Sequence, residues 1–218
     1  CKFSNTEDNL SGYQNALTTF SSSICEMETE VSEKWDFGLV KTQIISNAER
    51  VGRFAATGVD SLEKIITAQD PSIYRFEDGA KTSGTKITGA HTYIIYGDFD
   101  INGNIEYGTS LDYTDINNVP SAAFIVIDGN INVAKNVTQM DGIYIVISDE
   151  NTDENSNAGK FIGEESENQL TINGGLYGNV SDLFTKRTYI GNVENDAGSI
   201  TIRYSENFII NTPPGLND

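Results

Sequence analysis

Gly97-Asp-Phe-Asp-Ile-Asn-Gly-Asn-Ile105 and Gly129-Asn-Ile-Asn-Val-Ala-Lys-Asn-Val137 decide the fold, because they match position for position. Each reads glycine, polar, apolar, polar, apolar, two connecting residues, Asn, apolar. A shortened copy, Gly174-Gly-Leu-Tyr-Gly-Asn-Val180, ends in the same way, so the three form an unevenly spaced internal repeat. In extended chain the alternation sends Phe99 and Ile101, or Ile131 and Val133, to one side. Asp98 and Asp100, or Asn130 and Asn132, go to the other. The leading glycine permits a sharp corner between two strands. Asn104, Asn136 and Asn179 then occupy the corner that ends each unit. They are expected to hydrogen-bond to one another as a ladder between copies stacked at about 4.8 Å. The class this implies is mainly β, a parallel β-solenoid whose crossovers are right-handed. An antiparallel sandwich with Gly-Asn hairpin turns is the alternative, but hairpins do not account for the matched continuation after the glycine.

Around these units lie short β-branched and aromatic runs bounded by Gly, Asn and Asp. They are Tyr93-Ile-Ile-Tyr, Ala123-Phe-Ile-Val-Ile, Ile143-Tyr-Ile-Val-Ile, Leu170-Thr-Ile and Ile200-Thr-Ile, and they read as strands, as does Asn207-Phe-Ile-Ile-Asn. Glu77-Asp-Gly-Ala-Lys-Thr-Ser-Gly-Thr reads as a linker. It divides a small mixed N-terminal segment, residues 1–76, from a solenoid domain, residues 77–218. Within the first, Asp60 is placed to N-cap a short helix, with Glu63 in the capping-box position and Leu62, Ile65 and Ile66 on one face. That segment is expected to cap one end of the stack. The acid-rich stretch from Asp149 to Asn168 reads as an insert.

Composition bounds the function. Fourteen basic residues against thirty-two acidic give a formal charge of −18, which repels phosphate backbones and anionic lipid. Nucleic acid is therefore excluded as a partner, whereas cations and basic surfaces are favoured. Hydrophobic content of 38%, with ten Tyr and ten Phe, is that of a chain that folds. No run of about 18 apolar residues occurs, so no membrane-spanning helix is expected. Three readings of Cys1 and Cys25 stand: a disulfide, a lipid-bearing Cys1 with an odd thiol at Cys25, and two unrelated thiols.

Catalytic signatures are scarce. There is no Gly-x-Ser-x-Gly, P-loop, His-Glu-x-x-His or dinucleotide fingerprint, and the single histidine, His91, sits at a strand entrance. No catalytic residue is expected. Asp98 and Asp100 share one face of a strand and are the candidate metal ligands, with calcium as the cation. A polysaccharide lyase would add a basic residue, for which Lys135, Lys186 and Arg187 are the candidates. Asn-x-Ser/Thr sequons fall at Asn9, Asn136 and Asn179, the last two unusable if they are ladder residues.

Trp35-Asp-Phe-Gly-Leu, the Tyr93 to Ile105 unit, Asn117-Asn-Val-Pro120 leading into Ala123 to Val137, and Gln169-Leu-Thr-Ile-Asn-Gly together carry a resemblance. The chain is similar, over residues 33–215, to the C-terminal regions of large, mostly uncharacterised surface proteins of ultrasmall, candidate-phyla-type bacteria. That resemblance implies an exported structural or adhesive protein at the cell surface, without catalytic residues to carry over. Its expected partner is itself, by axial stacking. The second reading, from another class, is a polysaccharide-binding or polysaccharide-degrading β-helix with surface glycans as partner.

Overall fold

The computed structural model describes residues 42–43, 46–47, 54–56, 60–62, 72–108, 115–148, 159–188 and 199–216. The chain divides into two compact units, Cys1–Asp36 and Phe37–Asp218, and the described residues all belong to the second. Cys1, Cys25 and Asn9 lie outside the described residues, as do Glu63, Ile65 and Ile66 of the expected helix.

The protein is mainly β, and every strand pairing among the described residues is parallel. Three rows of strands organise it. The first holds β1 (Phe54–Ala56), β2 (Ser72–Phe76), β5 (Ala90–Tyr96), β8 (Ser121–Ile127) and the later halves of β10 (Gln139–Ile147) and β12 (Leu170–Tyr177). A second row, a separate four-stranded sheet, holds β3 (Ala80–Thr82), β6 (Phe99–Ile101), β9 (Ile131–Val133) and β11 (Phe161–Gly163). β4 (Thr85–Ile87), β7 (Ile105–Tyr107), the first halves of β10 and β12, and β13 (Ile200–Arg203) make the third. The chain visits the rows in the same order each time: β2, β3, β4, then β5, β6, β7, then β8, β9 and the start of β10.

Register follows the repeat. Phe99 pairs with Ile131 and Ile101 with Val133, and all four are buried in one apolar core, as the alternation predicts. Through the first row runs a column of rings: Tyr74, Tyr93, Phe124 and Tyr144, with successive centroids 5.4, 4.8 and 4.8 Å apart and near-parallel planes. The spacing is that of neighbouring strands, and offset stacking adds about 0.5–1.5 kcal/mol per pair beyond burial.

Backbones approach closest at the corners. A Cβ on Gly129 would lie 2.1 Å from the carbonyl oxygen of Gly97, so no side chain fits there. The left-handed conformation at this corner is taken by the preceding residue, Asp128, at φ 57°.

Four expectations need correction. The Glu77–Thr85 stretch is not a linker: Gly79 and Gly84 are corners at positive φ, and Ala80 and Thr82 are buried in β3 opposite Phe99 and Ile101. Small residues at core positions gave the segment its linker-like composition. β2, on the N-terminal side of the expected boundary after Phe76, pairs with β5 in one sheet. The strand that follows β9 in the second row is also not the Gly174 copy, which continues β12. It is β11, inside the stretch read as an insert, where Phe161 pairs with Ile131. Gly163 stands at the second apolar position because the helix α1 (Ser181–Lys186) packs there; a Cβ would meet Leu183 at 3.0 Å. Last, Asn207–Ile210 is a short helix, α2, and not a strand. After β13 the chain leaves the sheet and crosses its outer face, where Asn211 Nδ2 donates to the carbonyl of Val119 at 2.8 Å. Thr92 Oγ1 donates to the carbonyl of Pro214 at 2.7 Å, and Leu216 packs on Ile73, Ile94, Ile125, Ile127 and Ile147.

Ile131→Ala should lower unfolding free energy by about 2–5 kcal/mol, the range for an emptied core site. Gly129→Ala should be at least as damaging although it removes no contact, because the backbone of the neighbouring corner has to move. Urea denaturation of both variants checks this; a neutral Gly129→Ala would contradict the close approach.

Candidate functional site

Alternation puts Asp98 and Asp100 on the solvent side of the second row, where both are exposed. They line an open groove of about 660 Å³ with Asp60, Glu77, Asp78, Asp128, Lys81 and Tyr96. Six carboxylates thus face one lysine, and that lysine is ion-paired to Asp60. Asp60 also accepts the backbone N–H of Lys81 across to β3, while the helix expected after it lies outside the described residues. On the rim, Arg75 pairs with Glu77 at 2.7 Å and lies 4.8 Å over the ring of Tyr96.

The two candidate metal ligands each spend an oxygen on the neighbouring strand. Asp98 Oδ1 accepts from the backbone N–H of Asn130, and Asp100 Oδ1 from Asn132 Nδ2, both at 2.8 Å. Among the described residues no three His, Cys, Asp or Glu side chains converge in a geometry that would hold a metal ion. The groove can concentrate cations by its charge, and Tyr96 stands beside the acids with Arg75 over its ring.

Asn104, Asn136 and Asn179 do not stack as one ladder. Asn104 Oδ1 accepts from the backbone N–H of Thr138 at 2.8 Å, and Asn136 Nδ2 donates to the carbonyl of Asn102 at 2.8 Å. The second corner is longer than the first: the offset between paired residues grows from Phe99–Ile131 to Ile105–Met140, which takes the asparagines out of step. Asn179 lies over Lys160, in the row of Asn130, and its Oδ1 accepts from Ser181 Oγ at 2.7 Å. Asn136 and Asn179 are exposed, so the sequons there are not buried.

The basic candidates are scattered, and none lines the acidic groove. Lys135 donates its backbone N–H to Glu164, and Lys186 pairs with Glu165 at 3.3 Å. Arg187 is 2% exposed and donates to the carbonyls of Val137 and Ala134, each at 2.8 Å. Burial lowers its pKa while Glu164 opposes that shift, and a guanidinium remains charged at any ordinary pH. Arg187 thus serves as a structural plug at a corner. His91 is buried, 2.7 Å from the carbonyl of Thr88 through Nε2, and tilted against Tyr74 and Tyr93.

Two buried groups escaped the sequence reading. Asp141 is 3% exposed and accepts from the N–H of Tyr107, from Gln139 Nε2 and from Asn173 Nδ2, the last at 2.7 Å. Only its register with Asn173 marks it. Tyr93 is fully buried in the ring column, and its hydroxyl finds no partner among the described residues. Desolvation pushes the Tyr93 phenol far above its usual 10, and Tyr74 adds to the shift. Burial raises Tyr144 likewise.

No family model, no curated protein and no solved structure matches this chain.

The buried phenols set a pH dependence. Their folded pKa lies above the unfolded value, so the folded state keeps protons that the unfolded state loses above about pH 10. Stability should be flat below that pH and fall above it. Tyr93→Phe removes an unpaired buried hydroxyl and should be neutral or stabilising by about 1 kcal/mol at pH 8, with a weaker alkaline loss. Urea denaturation of both proteins at neutral and alkaline pH gives the answer; marked destabilisation by Tyr93→Phe would reveal a partner for the hydroxyl.

Proposed function

We propose that the second unit is a right-handed parallel β-solenoid acting as a non-catalytic structural or adhesive module of a protein displayed outside the cell. The observation that carries this reading is the three-row order, repeated with residue stacked on like residue across β2, β5, β8, β10 and β12. Such a stack is rigid along its axis and tolerates a strongly charged flank, which suits a spacer or a display surface. The right hand follows from the strong preference of parallel crossovers. We infer the same location and role from the resemblance that the motifs at Trp35, Tyr93, Ala123 and Gln169 carry to large surface proteins of ultrasmall bacteria.

The acidic groove supports a second reading. The carboxylates of Asp98, Asp100 and Asp128, with Tyr96 beside them, suit a polysaccharide held through hydroxyl–carboxylate hydrogen bonds. Calcium belongs to both readings as the cation such a groove attracts, since it would relieve repulsion among clustered carboxylates.

Antibodies raised against the purified chain should label intact source cells; labelling confined to permeabilised cells would defeat the surface reading. Millimolar calcium should raise the melting temperature more than sodium chloride of equal ionic strength does. That difference should shrink in the Asp98→Asn, Asp100→Asn double variant, and equal effects of the two salts would reduce the groove to a screened surface. Glycan-array binding that is lost with Tyr96→Ala would favour the second reading over the first.

A further inference from the structure

We propose that the end of the stack at β12 is a docking seat for a second copy of this chain, whose β1 adds to it in parallel. The inference rests on the solenoid reading and names the partner that reading requires.

The seat is defined by register. Among the described residues β13 pairs only with the first half of β12, Leu170–Asn173. Gly174–Tyr177 pairs with β10 on one side and, among the described residues, with no strand on the other. This uncovered half belongs to the first row and closes the column Tyr74, Tyr93, Phe124, Tyr144, Leu176. Its last member, Leu176, is only half-buried, and Tyr177 beside it is 59% exposed. The third-row column ends similarly: Met140 and Ile172 are fully buried, whereas Ile202, next in the column, is 48% exposed. An apolar core and a line of backbone donors and acceptors are therefore cut off together. Chemistry of that kind is satisfied by a strand in register, not by an irregular apolar surface.

A second copy fits because, among the described residues, the same row opens with an unpaired edge at the other end. There β1 pairs with β2 alone, Ala55 standing opposite Tyr74 at the foot of the same column. The described chain enters the stack in the first row, at β1, and leaves the sheets in the third row, at β13. The strand due next in the repeating order is a first-row strand on Gly174–Tyr177, and β1 of another copy is such a strand. Phe54, Ala55 and Ala56 would stand over Gly175, Leu176 and Tyr177, neutral residues on neutral residues. The C-terminal segment leaves the seat open, since residues 211–216 fold over the outer face at Thr92, Val119 and Ser121. The contact joins unlike surfaces and repeats by translation, so it grows open-ended.

Light scattering of the full chain should show average mass rising with concentration. Ala55→Lys and Leu176→Lys, which place a charge in the seam from its two sides, should each be monomeric. Their mixture should form dimers holding one of each and nothing larger, because each variant retains one intact end. Wild-type mass that stays monomeric at all concentrations, or folded variants that fail to pair on mixing, overturns the proposal. Should a variant not fold, amide exchange on the wild type decides: amides of Gly174–Tyr177 must gain protection as concentration rises, and constant exchange there overturns the seat. Unprotected amides in β5 and β8 of the monomer would instead sink the stacked fold.

Discussion

Parallel strands paired in register set each residue directly above its counterpart in the next pass, at about the inter-strand spacing. Every other feature of this protein answers to that constraint. Tyr93 has a ring above and a ring below, so the column succeeds only because both neighbours are flat as well. Packing is therefore decided column by column. Within a column, a residue can shrink only if something else fills the gap, as Leu183 does where Gly163 replaces an apolar side chain.

The same constraint governs charge. Two carboxylates in register would sit close enough to repel strongly, and a chain of net charge −18 has many to place. Several acids in the paired strands face a donor side chain instead. Asp100 stands between Lys81 and Asn132, Glu106 faces Lys86, and Asp141 faces Asn173, itself beside Arg203. Asparagine has the shape of aspartate but offers N–H donors, so it turns repulsion into the 2.8 Å bond from Asn132 to Asp100 and the 2.7 Å bond from Asn173 to Asp141. The abundance of Asn beside Asp in this sequence is thus a folding device. The groove around Asp98 and Asp100 is where the device is thinnest, since its acids come from corners and loops as well as from strands.

The strands and the inward-facing pairs were legible because glycine punctuation and alternation are local signals. Phe99 with Ile131 needed only two matched strings. What stayed hidden depends on residues far apart in sequence. Gly159-Lys-Phe-Ile-Gly163 has the start of the repeat, but its second apolar position is empty for a reason visible only once α1 is in place. Ala80 and Thr82 carry the pattern in side chains too small to register as apolar. The asparagine ladder failed because corner length varies from pass to pass, and the residues added at the second corner change which atoms meet. Arg187 gave no sign at all, since its partners are the carbonyls of Ala134 and Val137, some fifty positions back.

Corner and column together explain why the two ends of the stack are unlike its middle. Inside, each strand's hydrogen bonds and apolar face are completed by the passes before and after it, so no single pass needs a core of its own. At the last pass completion has to come from elsewhere. The second row is finished by α1, whose Asp182 accepts the N–H of Gly163 at 3.0 Å. The C-terminal residues that might have closed the first row are committed to the outer face, where the isoleucines of β2, β5, β8 and β10 need cover. Residues 211–216 cannot serve both. Covering the outer face shields apolar side chains along several strands, whereas the apolar side chains left at the end include, among the described residues, Leu176, Tyr177 and Ile202. Residues 211–216 remove apolar area of the outer face from water, and the end is left with strand chemistry for another strand to complete.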